Sequence, residues 1–241
     1  MPKYLIHSCP KRRWYVDNYL VPSMQAQGIP VEDIMIYDDK AKLGNLAAFI
    51  DSCYKLLEVV GTDGGTWHLQ DDVLICSDFK QRTEELDTHN VVCGFTCHYD
   101  EFRPTAGLQP MKNLWWSFPC IRIPNKDLQE FLDWVKVWVW RDHQFDFCTK
   151  QNKGDDYIWK VWVTSFRANQ MMYGCLPTLV EHVDYLIGGS EANPQRSASV
   201  NTRSWDWQEE DLVCELERRL NNDICKRQSR YKKSGPLQSP V

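Results

Sequence analysis

Residues 66–79 read TWHLQDDVLICSDF: one short apolar run, two adjacent carboxylates, then a second apolar run. Trp67 to Leu69 has the character of a strand, and it leads directly into Asp71 and Asp72. Neighbouring negative charges at the end of a strand are hard to take out of water unless a cation or a cluster of donors meets them. The pair therefore marks either a bound partner or a stretch left in solvent. Ordinary loops also supply Asp-Asp pairs, so the flanking sequence has to place this one.

Upstream, Tyr4 to Ser8 (YLIHS) reads as a buried strand, stopped by Cys9-Pro10 and three basic residues. Asn18 to Gln27 carries helical spacing through Tyr19, Leu20 and Met24, with Pro22 an awkward presence that delays or breaks the helix. Glu32 to Tyr37 is a second strand ending at Asp38-Asp39, and Lys42 to Val60 is the clearest helix. Leu46, Phe49, Ile50, Cys53, Leu56 and Leu57 recur there at three and four residues. Downstream, Val91 to Thr96, Pro119 to Ile123 and Met172 to Cys175 read as strands. Leu128 to Trp140 reads as an amphipathic helix, and Asp155 or its neighbour opens another that runs to about Phe166.

Strands alternating with helices predict an α/β fold, a Rossmann-type, mostly parallel central sheet flanked by helices. Ligands of such sheets bind beyond the carboxyl ends of the strands. Asp38-Asp39 and Asp71-Asp72 both fall on that edge. The expected organisation is one domain over 1–205, followed by a C-terminal helix and a basic, flexible tail over 206–241.

With 241 residues, 43% of them hydrophobic, the chain can bury a sizeable core. A net charge of -5 argues against a general nucleic-acid binder. The tail is the exception, with Lys226, Arg227, Arg230, Lys232 and Lys233 and no acid from Ile224 onward. It reads as a solvated end or as a contact for an anionic partner. The ten cysteines show no CxxC or Cys/His zinc spacing and sit in apolar runs as small hydrophobes, as in a reducing cytosol. No stretch has the roughly 20 apolar residues of a membrane span. A cytoplasmic protein without a transmembrane segment is expected.

Four stretches together resemble the nucleotide-sugar glycosyltransferases of the GT-A fold, in the small bacterial and phage type allied to lipopolysaccharide glycosyltransferases. They are Ile6 to Arg13, Tyr37 to Asn45 (with IYDD and KLGN), LQDDV at Leu69 to Val73, and Gly154 to Gly189 with GDDYIWKVW and CLPTLVEHVDYLIGG. The resemblance implies a metal-dependent transferase that moves a sugar from a nucleoside-diphosphate sugar, most commonly a UDP-sugar, to an acceptor hydroxyl. The cofactor it implies is Mn²⁺ or Mg²⁺, held by Asp72 and by His182, with Asp71 beside Asp72 on ribose or metal. Gln70 stands where the family has an acid, so one charge of the motif is missing. His7, Gln70 and Asp71 belong to the implied nucleotide site. Asp38 and Asp39 would read the nucleoside, Asn45 would face the nucleotide, and Lys42, Arg12 and Arg13 would reach its phosphates.

Asp156, supported by Asp155, would take the proton of the acceptor hydroxyl. Their helix N-terminus is expected to lower a carboxylate pKa and keep it ionised. Trp115 and Trp116 offer flat faces on which a donor or acceptor sugar stacks, or they pack a loop. The acceptor is left open among glycan, lipid-linked sugar, protein and modified DNA. A nucleotidyltransferase is the alternative enzyme, weakened because SCPKRRW lacks the glycine-rich loop. A catalytically degenerate sugar- or nucleic-acid-binding module is the non-enzymatic alternative.

Overall fold

The computed structural model describes residues 1–86, 89–95, 107–111, 118–142, 155–166, 172–176, 178–183 and 187. Trp115, Trp116 and the expected tail lie outside them.

The elements follow the expected alternation. Strand β1 is Tyr4–Ser8 and β2 is Ile34–Asp38. Between them runs one helical stretch, α1 (Arg13–Tyr15), a π turn (Val16–Leu20) and α2 (Val21–Ala26). It begins earlier than the periodicity predicts, and Pro22 does not break it. Pro22 sits where the π turn gives way to α2, a change of helical pitch at which a residue without an N–H is tolerated. Helix α3 (Asn45–Val60) precedes β3 (Gly65–Gln70), β4 (Val73–Ile75), α4 (Phe79–Glu85) and β5 (Val91–Cys93). Then come β6 (Gly107–Pro110), β7 (Cys120–Pro124), α5 (Asn125–Asp142), α6 (Asp155–Phe166), β8 (Met172–Leu176) and β9 (Val180–His182).

Seven strands form the central sheet in the order β2-β1-β3-β7-β5-β8-β6. β1 is parallel to both β2 and β3, and β5 is parallel to β8, while β7 and β6 run against their neighbours. Five of the seven strands therefore point the same way, a mostly parallel sheet with two reversed members. β4 and β9 make a separate antiparallel ribbon.

Alternation along β1 divides the core into two layers. Tyr4 and Ile6 pack with Tyr15, Leu20, Met24, Phe79 and Val180 on one face. Leu5 faces the other way, among Phe49 and Leu56 of α3, Phe131 of α5, and Trp159 and Trp162 of α6. Phe131 and Trp159 have ring centroids 5.0 Å apart, and Trp159 and Trp162 are at 4.9 Å. These tryptophans are core, the commoner use of a large aromatic. Cys53, Cys76, Cys93, Cys120 and Cys175 are buried free thiols, as expected of small hydrophobes. None of the helices among the described residues is long and apolar enough to cross a membrane.

Candidate functional site

The register of the sheet lines up the carboxyl ends of β2, β1 and β3. Ser8 pairs with Asp38, and His7 pairs with Tyr37 on one side and Gln70 on the other. The acidic ends of β2 and β3 are thereby brought to one edge, with the turn after β1 between them. That turn is tight, with the N–H groups of Arg12 and Arg13 both donating to the Cys9 carbonyl at 3.0 Å.

The turn closes on the carboxylate pair. Arg12 Nη2 lies 2.6 Å from Asp71 Oδ1, and Arg12 Nη1 lies 2.9 Å from Asp72 Oδ2. The Cys9 N–H donates to Asp71 Oδ2 at 2.8 Å. The fourth oxygen, Asp72 Oδ1, stands 3.2 Å from His182 Nε2. The ribbon explains that last approach, because Val73 of β4 pairs with His182 of β9 and the Val183 N–H donates to the Asp72 carbonyl at 2.8 Å. Asp71 and Asp72 are buried, so the cation they require comes from the chain itself.

The ionisation follows from these contacts. Burial works against the charge of Arg12, but Asp72 and then Asp71 outweigh it and hold the guanidinium more firmly protonated than usual. At Asp72 burial is likewise outweighed, by His182 and Arg12, and the carboxyl is held below its ordinary range. At Asp71 burial leads and pushes the carboxyl up, against the pull of Arg12.

The side chains gathered here can be tested against the expected divalent ion. Mg²⁺ and Mn²⁺ need several oxygen ligands with open lone pairs. Three of the four oxygens of the pair are engaged by Arg12 or Cys9, the fourth, Asp72 Oδ1, is buried without a hydrogen-bond partner at 3.2 Å from His182, and Gln70 brings no charge. Among the described residues no three His, Cys, Asp or Glu side chains gather as a metal-binding group. Asp72 and His182 do come together as the resemblance implies, but with a guanidinium rather than a free ligand face between the two aspartates. In this arrangement the residues do not fit the metal.

The remaining site residues separate into two groups. Asp39 is committed to its own loop, with Oδ1 accepting from the Leu43 N–H at 2.9 Å and Oδ2 from the Gly44 N–H at 3.1 Å. The loop needs that support because Lys42 and Gly44 both have left-handed φ, 56° and 83°. Lys42 and Asn45 are exposed, Asn45 as the first residue of α3. Arg13 pairs with Asp17 at 2.8 Å along its own helix. Asp38 differs: its Oδ1 is buried and has no hydrogen-bond partner.

His7 points into the layer beneath α3. Ser52 donates its hydroxyl hydrogen to the Phe49 carbonyl at 2.7 Å, so at 3.0 Å it accepts from His7 Nδ1. His7 Nε2 is then left to accept from His68 Nδ1 at 3.1 Å. Both rings are neutral: burial lowers His7 to about 3, and burial with the neighbouring His7 lowers His68 well below the ordinary value. The spacing of the sequence gave no sign of His68, a buried partner on β3.

Asp155 opens α6 and is buried. Its carboxyl is not lowered as its place in the first turn led one to expect. Burial pushes it up to about 7, Asp156 adds to the rise, and the backbone N–H groups only partly offset them. The charge of Asp72 contributes in the same direction, which places the start of α6 within electrostatic range of the carboxylate pair. Asp156 Oδ1 accepts from the Tyr157 N–H at 2.7 Å.

No protein family and no curated protein sequence matches this chain. Among solved structures, it is similar to the glycosyltransferase GlyE of Streptococcus pneumoniae TIGR4, at 13% identity and a TM-score of 0.46, covering 100% of this chain and 67% of that one. It is also similar to the protein A197 from STIV, at 13% identity and a TM-score of 0.39, covering 75% of this chain and 84% of that one. Both likenesses are loose, and neither carries an argument about the chemistry.

Proposed function

We propose that this chain is a glycosyltransferase that moves a sugar from a nucleoside-diphosphate sugar to an acceptor hydroxyl. The observation that carries the reading is Asp38 Oδ1, a buried carboxylate oxygen without a hydrogen-bond partner at the carboxyl end of β2. A buried acceptor left unmet is unfavourable until a ligand supplies a donor. Ribose hydroxyls and base N–H groups are such donors, and the edge is where open sheets of this kind take nucleotides. Asp39 shapes the loop that leads to Asn45 and so positions the nucleotide side of the site indirectly. Asp155 supports the transfer step. A carboxyl near 7 is matched to removing a proton from a hydroxyl at neutral pH, whereas an ordinary aspartate is a weak base. In this reading Asp155 is the base and Asp156 its neighbour, the reverse of the order implied by the resemblance.

The test is thermal stability of the whole chain against a panel of nucleoside diphosphates and their sugars, UDP-sugars first. A ligand bound only by the native state raises the melting point by mass action. One base should raise it, and Asp38→Ala should weaken that ligand by about 10- to 100-fold, the loss expected for a hydrogen bond to a charged group. A folded protein whose melting point no nucleotide moves would remove the reading.

A further inference from the structure

The resemblance implies a divalent cation at the carboxylate pair, and the pair instead holds Arg12. We propose that Arg12 is the resident cation of this site, standing where a metal ion would stand, so that the chain neither needs nor takes a divalent ion there. Three observations converge on it. The guanidinium reaches one oxygen of each aspartate, at 2.6 and 2.9 Å, which a planar fork can do and a point charge cannot. All three side chains are largely withdrawn from solvent, at 13% exposed for Arg12, 2% for Asp71 and 5% for Asp72. The backbone enforces the pose, because the Cys9 N–H holds Asp71 while the Cys9 carbonyl folds the turn that carries Arg12 back. Tyr15, three residues on, donates to the Val73 carbonyl at 2.9 Å and fastens the following helix to the strand after the pair.

A metal ion would have to expel this arginine. Mg²⁺ keeps near-ideal octahedral geometry and gives up its waters reluctantly, and Mn²⁺ would gain only two aspartates and one histidine. The missing acid at Gln70 fits the same picture, since one guanidinium already serves both aspartates and a third carboxylate would add further uncompensated negative charge. The nucleotide reading is not needed for this inference, which concerns the ion alone.

Electron paramagnetic resonance of free Mn²⁺, titrated with the full-length wild-type chain and with variants at Arg12 and Asp72, decides the matter. Wild-type protein should leave the free-ion signal at the level of a protein-free control up to about 1 mM Mn²⁺, both alone and with a nucleoside diphosphate, itself a Mn²⁺ chelator, present in both samples. Arg12→Met, shown to be folded by circular dichroism, should gain one Mn²⁺ site at least about tenfold tighter than wild type, because it uncovers two buried anions. Should that variant not fold, the wild-type titration still stands. Stoichiometric Mn²⁺ binding by wild type that Asp72→Asn abolishes overturns the inference, as does a folded Arg12→Met that binds Mn²⁺ no better than wild type. Failure of the nucleotide reading would look different, as a melting point unmoved by every nucleotide with the Mn²⁺ results unchanged.

Discussion

Asp71 and Asp72 are adjacent and buried, and the cation they share comes from the turn after β1. That a cation or a cluster of donors must meet them if they leave solvent was legible in the sequence. Which cation was not, because Arg12 and Arg13 are equivalent in a linear reading. Only the turn decides between them, sending Arg12 to the aspartates and Arg13 to Asp17. Asp155 shows the same limit from the other side. Its helix position was readable, whereas its burial, which reverses the direction of its pKa, depends on packing against distant elements. Two consequences follow from a carboxyl near 7. If Asp155 is the base, the transfer rate should rise with pH through about 7, and Asp155→Asn should remove that limb together with most of the rate. The same substitution should stabilise the fold at pH 8 by about 2–4 kcal/mol, since it removes a buried charge whose pKa is raised by roughly three units. Urea denaturation at pH 8 measures the second effect, and a variant less stable than wild type would show that the buried carboxylate has partners the variant cannot replace.

The long elements were readable because they repeat. α3 places Leu46, Phe49, Cys53 and Leu56 on one buried face, as its periodicity requires. The short ones were not. β4 and β9 have three residues each, too few for any period, yet their pairing is what sets His182 beside Asp72. The reversal of β7 was equally hidden, since an apolar run reads the same in both directions. Gly94 lies just past β5, where β7 and the approach to β9 close in. Its N–H donates to the Cys120 carbonyl at 2.9 Å, and its carbonyl accepts from the Leu179 N–H at 2.6 Å. A Cβ there would meet Cys120 Sγ at 2.7 Å and Leu179 Cδ1 at 3.0 Å. Gly94→Ala should therefore destabilise the chain by about 1–3 kcal/mol through overpacking. It should also disturb the ribbon, which hydrogen exchange at Val183 would report. An unchanged denaturation midpoint would mean that both neighbours can give way.

Across the whole molecule, buried groups in the layer of α3 and α6 carry opposite responses to acid. Beneath α3 the neutral His7 and His68 form one chain of donors and acceptors that ends at Ser52 and the Phe49 carbonyl. Their native pKa values lie below the unfolded value of about 6.5, so between pH 6.5 and about 3 the unfolded chain binds more protons. Stability must fall as pH drops through that window, by roughly 3 kcal/mol at pH 4 for His7, with His68 acting in the same direction. Asp155 works in the opposite sense. Its native pKa of about 7 lies above the unfolded value near 3.8, so the native state binds the extra proton and gains stability as pH falls between them. Two groups pull one way and one pulls the other, so the net response should be a loss of stability below pH 6.5, partly masked. Asp155→Asn removes the mask. Urea midpoints from pH 8 to pH 4 should fall in wild type and fall more steeply in the variant, with the two curves furthest apart at pH 8 and converging towards pH 4. A wild-type stability that is flat or rising from pH 6.5 to pH 4.5 would contradict a neutral, buried histidine pair.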